Sequence, residues 1–291
     1  MCRLFGMSAG SEPARATFWL LDAPDSLSAQ SHREPDGTGL GWFDARGAPH
    51  VSKQALAAYD DRRFAREARE VSSTTFLAHV RFASTGALEL RNTHPFEQHG
   101  RLFAHNGVIE ELPALDAHLG EDLRLVKGDT DSERLFALIT RETAARNGDL
   151  AAGIEAACGW VAANLPVYAL NFVLASPDGL WALRYPETHP LYVLERAPGE
   201  PLSHASSLGT RVHADDGANR SLVVLASERM DADPGWRLLP QGELLRIADT
   251  LEISTRRILH HPPARALTLA QLSSTAQASQ APAPAAPETP S

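Results

Sequence analysis

The first six residues of the chain, MCRLFG (residues 1–6), place a thiol at the second position and follow it with strand-like apolar residues. If Met1 is removed, which the small side chain at position 2 permits, the α-amine and the thiol belong to one residue. An α-amine has a pKa of about 7.7–8.0 and a thiol one of about 8.5, so the amine can accept the thiol proton. Cys2 is therefore either a terminal nucleophile or a small residue that opens the first strand.

Composition limits the classes of protein to consider. The chain has 291 residues, 43% of them hydrophobic, and a formal net charge of −9 without a Lys/Arg cluster, which disfavours nucleic acid as a partner. The two cysteines, Cys2 and Cys158, form no CxxC or Cys/His array, which argues against a disulfide framework, a structural zinc or an iron–sulfur cluster. Such cysteine usage predicts a reducing, cytoplasmic compartment.

The domain organisation follows from a change in composition near the end of the chain. The last residues, STAQASQAPAPAAPETPS, are rich in Ala, Pro and Ser and contain no aromatic residue. Such a stretch buries too little apolar surface to offset the entropy of ordering. We assign residues 2–265 to one domain and residues 266–291 to a disordered tail. No signal peptide and no run of about 20 apolar residues are present, so the sequence predicts no membrane association.

Apolar periodicity predicts strands near both ends and helices between them. The strand signals are TGLGWF, PHVSK, TTFLAHVRF, RLFAHN, VIEE, NFVLAS, LWALRY, SLVVLASE and ELLRIADTLEIS, with a hairpin turn at Pro177-Asp178-Gly179. The helix signals are ALAAYDDRRFAREAREV, SERLFALITRETAARN and DLAAGIEAACGWVAANL. This order predicts a layered α+β domain with antiparallel strands.

Two segments combine a strand with polar groups. In FAHNGVIEE (residues 103–111), Asn106-Gly107 predicts a tight turn, but the amide and the unobstructed glycine N–H could also converge on an oxyanion. In AHVRFASTG (residues 78–86), the Arg81 fork suits a carboxylate, and Ser84 and Thr85 leave backbone groups accessible. A surface ion pair is the alternative for Arg81.

The segment GDTDSERLFALI (residues 128–139) has the pattern of a helix start. Thr130 and Glu133 fit a capping box ahead of an apolar run. Asp131, at the first turn, can in addition present its carboxylate to a substrate ammonium group.

Other candidates are weaker. His79, His94 and His105 occur in neither HxH nor HExxH, so we predict no metal site. GTGLG leads into a turn rather than a helix, so we predict no nucleotide site and no other cofactor. Cys158 lies on the apolar side of a predicted helix and is interpreted as inert core.

Taken together, the segments resemble the class II glutamine amidotransferases, whose glutaminase domain belongs to the N-terminal nucleophile hydrolases. The resemblance depends on the order of six motifs over about half of the chain: MCRLFG, PDGTGLGW, HVRFASTG, NTHPF, FAHNG and TDSE. It implies a four-layer α-β-β-α sandwich of two antiparallel sheets. It also implies an amidohydrolase without a cofactor that acts on a small-molecule γ-glutamyl substrate.

The resemblance further implies the roles of individual residues. Cys2 would be the nucleophile and its amine the base, with the oxyanion held by Asn106 and the Gly107 N–H. Arg81 would bind the substrate α-carboxylate and Asp131 the α-ammonium group. The backbone around Ser84 and Thr85 would complete the pocket.

Departures from the family leave the exact function open. Phe82 stands where amino-sugar synthases have tryptophan, Thr85 stands where they have histidine, and no ammonia-consuming domain is visible. The later segment LASERMDADPGWRLLPQGELLRI is similar to stand-alone members, including the γ-glutamyl amidase of ergothioneine biosynthesis. The alternatives are a glutaminase subunit that feeds a separate synthase and a non-catalytic binding domain on the same fold.

Overall fold

The computed structural model describes residues 2–82, 88–199, 203–205, 211–213 and 220–280. The strands are β1 Arg3–Ser8, β2 Gly37–Phe43, β3 Pro49–Gln54, β4 Thr75–Arg81, β5 Phe96–Gln98, β6 Arg101–Ile109, β7 Pro166–Ser176, β8 Gly179–Leu183, β9 Tyr192–Arg196, β10 Ser203–Ala205, β11 Arg211–His213, β12 Leu222–Ala226, β13 Arg237–Leu238, β14 Glu243–Ala248, β15 Ile253–Arg257 and β16 Arg265–Ala266. The α-helices are α1 Leu27–Gln30, α2 Arg62–Glu70, α3 Leu112–Leu119, α4 Asp131–Ala144, α5 Leu150–Asn164 and α6 Ser274–Gln280. None of the described helices is long and apolar enough to cross a membrane.

The described strands form two large sheets and a small hairpin of β10 and β11. The first sheet has the order β13-β9-β12-β1-β4-β2-β3, and the pairs on this path are antiparallel. The second has the order β15-β14-β8-β7-β6-β5. Its one parallel pair joins the short β16 to the start of β7.

Alternating side chains along the strands build three apolar layers. In β1, Phe5 and Met7 point to the outer face and pack with residues of α1 and α2. Leu4, on the other face, belongs to a cluster between the two sheets that includes Leu102 and Val173. The outer face of the second sheet packs on α3, α4 and α5. The result is the four-layer α-β-β-α arrangement, which confirms the predicted fold class.

Most sequence-predicted elements are present, with two local differences. The predicted helix from Ala55 begins at Arg62 instead, because the Asp61 carboxylate caps it by accepting hydrogen bonds from the N–H groups of Arg63 and Phe64. The predicted turn at Asn106-Gly107 is wrong, since both residues lie inside β6 and pair with β7.

Gly107 is required at this position for a different reason. A Cβ on Gly107 would lie 2.0 Å from the carbonyl oxygen of Ala169 on β7. Glycine is therefore required for the close approach of two strand backbones and not for a turn.

The segment assigned to a disordered tail differs from the structure over its first part. Residues 266–280 include the end of β16, a 3₁₀-helix and α6. Leu272 and Ala276 are buried against Val108 and Tyr168. Two apolar residues spaced four apart give this polar segment enough contact to pack, a signal that its overall composition conceals. Residues 281–291 lie outside the described part of the chain.

Candidate active site

Cys2 lies directly before β1 at the end of the first sheet. Its side chain is 6% exposed, and its Sγ lies 3.3 Å from both the N and the O of Phe82, which follows β4. Burial raises the pKa of the Cys2 thiol to about 11, against smaller lowering effects that include the Phe82 hydrogen bond and the charge of Arg81. The thiol therefore needs a base to become a nucleophile at neutral pH.

Asn106 approaches Cys2 from the second sheet. Its Nδ2 donates a hydrogen bond of 3.0 Å to the carbonyl oxygen of Cys2, although the two residues are 104 positions apart. The amide nitrogen has a second hydrogen, which can serve another acceptor beside the thiol. Gly107 follows in β6 and lines the same small cavity as Cys2.

A buried ion network anchors the residue that follows Cys2. The Arg3 side chain is fully buried, with NH2 2.6 Å from Glu228 Oε1 and NH1 3.5 Å from Glu34 Oε1. Burial raises the pKa of Glu34, and the neighbouring cations Arg3 and Arg33 oppose that rise. No sequence pattern indicated this network, because its three members come from separate segments of the chain.

Asp131 begins α4 and is held by backbone donors. Its Oδ2 accepts from the Ile109 N–H at 2.9 Å, and its Oδ1 accepts from the Ser132 N–H at 2.9 Å. The predicted capping box is formed only in part. Thr130 Oγ1 accepts from the Glu133 N–H, but the Glu133 carboxylate accepts from the Gly128 N–H instead. Asp131 still lines the cavity, and carboxylate oxygens can accept more than one hydrogen bond each.

Arg81, at the end of β4, completes the set of charged groups. It is 4% exposed, and burial lowers its pKa. The neighbouring charges of Cys2, Asp36 and Asp131 oppose that shift. The cavity that these residues line measures about 20 Å³. That volume holds about one water molecule.

Further lining residues were missed although they lie in the quoted motifs. His105 Nδ1 lies 2.9 Å from Ser132 Oγ, and its Nε2 lies 3.2 Å from the Ala169 carbonyl oxygen. His105 and Ser132 thus connect β6 and β7 to the start of α4, next to Asp131. Asn92 of the NTHPF motif exchanges two hydrogen bonds with Asp129 and fixes the loop that leads to α4. The spacing of these residues gave no signal for these contacts.

Two more histidines form a buried pair beside the cavity. The ring centroids of His79 and His94 are 4.2 Å apart, and none of their ring nitrogens has a hydrogen-bond partner among the described residues. Burial is the largest cause that lowers the pKa of His79 to about 3 and that of His94 well below its ordinary value. Both imidazoles are therefore neutral at physiological pH.

Because these two histidines are buried and neutral, we expect the folded chain to lose stability in mild acid. Histidines in the unfolded chain take up protons below pH 6.5, whereas His79 and His94 in the folded chain do not. Their contribution to the free energy of unfolding is therefore fully present above pH 6.5. This stability is lost as the pH falls from about 6.5 toward about 3, the pKa of His79 in the folded chain. The loss is no more than about 1.4 kcal/mol per pH unit for each group.

Urea unfolding followed by circular dichroism between pH 7.5 and 5 measures this slope. H79L should reduce it by up to about 1.4 kcal/mol per pH unit below pH 6.5, whereas H260Q, which removes an exposed imidazole, should leave it unchanged. An equal slope for wild type and H79L would contradict the assignment.

The structure brings together four of the residues to which the sequence analysis assigned a role. Cys2, Arg81, Gly107 and Asp131 line one cavity, together with further residues of the same motifs: Phe82, Asn92, His94, His105, Thr130 and Ser132. Asn106 contacts it through the Cys2 carbonyl. Ser84 and Thr85, predicted to complete the pocket, lie outside the described residues.

The sequence of this chain is similar to those of known proteins. Residues 1–266 match the family model described as glutamine amidotransferases class-II. The γ-glutamyl-hercynylcysteine sulfoxide hydrolase of Mycobacterium tuberculosis is 30% identical over 259 residues, which cover 85% of this chain and 93% of the relative.

Two solved structures share the fold. A glutamine phosphoribosylpyrophosphate amidotransferase of Bacillus subtilis superposes with a TM-score of 0.64 at 20% identity and covers 90% of this chain. The present chain spans only 50% of that protein. A glutamine aminotransferase class-II domain protein of Silicibacter pomeroyi gives a TM-score of 0.58 at 20% identity, covering 89% of this chain and 100% of the other. On the family match over residues 1–266 and the shared sandwich, the chain belongs to the class II glutamine amidotransferases, a family of amidohydrolase enzymes.

Proposed function

We propose that this chain cleaves a γ-glutamyl amide, either glutamine or a γ-glutamylated metabolite, through a thioester on Cys2. The observation that carries the proposal is the meeting of a thiol, an amide donor, a cation and an anion at one small cavity. A γ-glutamyl group ends in an α-carboxylate and an α-ammonium group. Arg81 and Asp131 are the complementary charges for that zwitterion.

The reaction begins when the α-amine of Cys2, freed by loss of Met1, accepts the thiol proton. The sulfur then attacks the γ-carbonyl carbon, and the resulting oxyanion receives hydrogen bonds from the Asn106 amide and the Gly107 N–H. Collapse breaks the C–N bond, and the leaving amine takes the proton from the α-ammonium group of Cys2. A γ-glutamyl thioester remains.

Hydrolysis completes the cycle. A water molecule gives a proton to the free α-amine of Cys2 while its oxygen attacks the thioester carbon. The second oxyanion accepts hydrogen bonds from the same two donors, and its collapse breaks the C–S bond. Glutamate leaves, and the thiolate recovers a proton from the α-ammonium group.

The test is intact-protein mass spectrometry after exposure to a γ-glutamyl diazoketone, whose reactive carbon alkylates a nucleophile at the position of the γ-carbonyl. We expect the purified chain to lack Met1 and to gain one label per molecule, located on Cys2 by peptide mapping. C158A should be labelled like wild type, because Cys158 is fully buried in α5. A retained methionine in active protein, or a label elsewhere, would overturn the proposed mechanism.

Two versions of the proposed function differ in the amine that leaves the substrate. A relative named γ-glutamyl-hercynylcysteine sulfoxide hydrolase supports a substituted amine as leaving group. The other version is delivery of ammonia from glutamine to a separate synthase. Glutamate release from glutamine and from N-substituted γ-glutamyl amides, measured in parallel, distinguishes them, as does a severalfold stimulation by a synthase partner.

A further inference from the structure

A second cavity, much larger than the one beside Cys2, is distant from it. It measures about 610 Å³ and lies where the second sheet meets the connection between α4 and α5. Thr143 near the end of α4 lines it, whereas Asp131 at the start of the same helix lines the cysteine cavity. Twelve helical steps separate the two residues, which places the two cavities about 18 Å apart along the helix.

Two arginines face this cavity without a counter-ion. Arg101, at the start of β6, is half-buried, and burial lowers its pKa. Arg246 on β14 pairs in register with Trp181 on β8, and its guanidinium carbon lies 5.6 Å from the centre of the Trp181 ring. In the described part of the chain, neither guanidinium has a hydrogen bond or a salt bridge.

This lack of partners stands out in a protein where arginines are usually paired. Salt bridges are formed, for example, by Arg33, Arg134, Arg141, Arg146, Arg256 and Arg257. Arg246 is exposed, so the cost of removing a cation from water without a compensating charge falls on the half-buried Arg101, and an anion that binds there recovers it.

The remaining wall also suits oxygen ligands. Gly100 and Gly148 line the cavity, and a Cβ at either position would meet nothing within 4 Å, so their backbones are open to a ligand. The first turn of α5 contributes Leu150. Of the two acids on the wall, Asp149 is committed to capping α5 through the Ala152 N–H, and Asp178 is exposed.

We propose that this cavity binds a small organic polyanion, with phosphate or carboxylate oxygens held between Arg101 and Arg246 and its apolar part beside Trp181. Two planar guanidinium groups bind either kind of oxyanion through charge-assisted hydrogen bonds. The site is separate from the Cys2 cavity and does not depend on the proposed reaction.

Isothermal titration calorimetry with inorganic pyrophosphate and with citrate, at constant ionic strength, tests the proposal. We expect saturable binding of one molecule per chain, weakened about tenfold or more in R101Q and in R246Q. R62Q removes the same charge from an exposed position on α2 and should bind like wild type. Pyrophosphate binding alone identifies a phosphate ligand, citrate binding alone identifies a carboxylate ligand, and binding of both supports the shared chemistry.

Two controls keep the test decisive. R101Q should melt no lower than wild type without ligand, because it removes a desolvated cation that has no partner. C2A should bind the probe like wild type, which separates this site from the candidate active site. Absence of saturable binding, or equal binding by R62Q, R101Q and R246Q, would overturn the proposal.

Discussion

C2A is expected to lose glutamate release by about 10⁴-fold or more, because no other group in the site can form the thioester. The substitution removes only the sulfur, whose contacts are the two at 3.3 Å with the Phe82 backbone. Arg81 and Asp131, the charged groups proposed to recognise the γ-glutamyl head, stay in place. C2A should therefore still bind substrate, as measured by calorimetry, while steady-state release of glutamate falls to background.

C158A is the matched control for this prediction. Cys158 is fully buried in the apolar cluster beneath α5, and burial raises its pKa far above neutrality, so it cannot serve as a nucleophile. Its removal should leave kcat within a factor of about two while lowering stability modestly. If C2A kept activity within tenfold of C158A, the thioester mechanism would be excluded.

Local chemistry made much of the fold predictable from sequence. Strands such as β2, β4 and β7 and the hairpin turn before Gly179 follow from apolar patterning and turn residues. The number of layers does not follow from patterning. Strands in the middle of the sandwich are buried on both faces, so their sequences lack the alternation that would assign each face to a layer.

The Asn106-Gly107 pair shows where local interpretation fails. The dipeptide favours a turn in isolation, but the close approach of β7 at Ala169 demands a residue without a side chain inside a strand. The site was accessible from sequence only through residues grouped in motifs. Arg3, Glu34 and Glu228 meet only because β1 starts beside two other segments, and no sequence spacing encodes that contact.

Asn106 is the second residue whose loss should be severe. N106A should lower kcat by about 10²–10³ with little change in KM, the usual effect of removing one donor to an oxyanion. Each of the two chemical steps forms an oxyanion at the same place, so acylation and deacylation should both slow. The γ-glutamyl head is proposed to be recognised elsewhere, by Arg81 and Asp131, which is why KM should change little.

The hydrogen bond from Asn106 Nδ2 to the Cys2 carbonyl complicates a simple interpretation, since its loss could displace the thiol. N106D keeps the shape of the side chain but loses the amide donor for both acceptors, and its negative charge opposes an oxyanion. Labelling of Cys2 by the diazoketone separates the two effects, because a displaced thiol labels poorly whereas a missing oxyanion donor slows turnover with the thiol still in place. Single-turnover kinetics of N106A, N106D and the exposed control N164A measure the chemical step directly. If N106D turned over as fast as N164A while labelling of Cys2 by the diazoketone stayed normal, Asn106 would not be a donor to the oxyanion, and the oxyanion would have to depend on the Gly107 N–H and other donors.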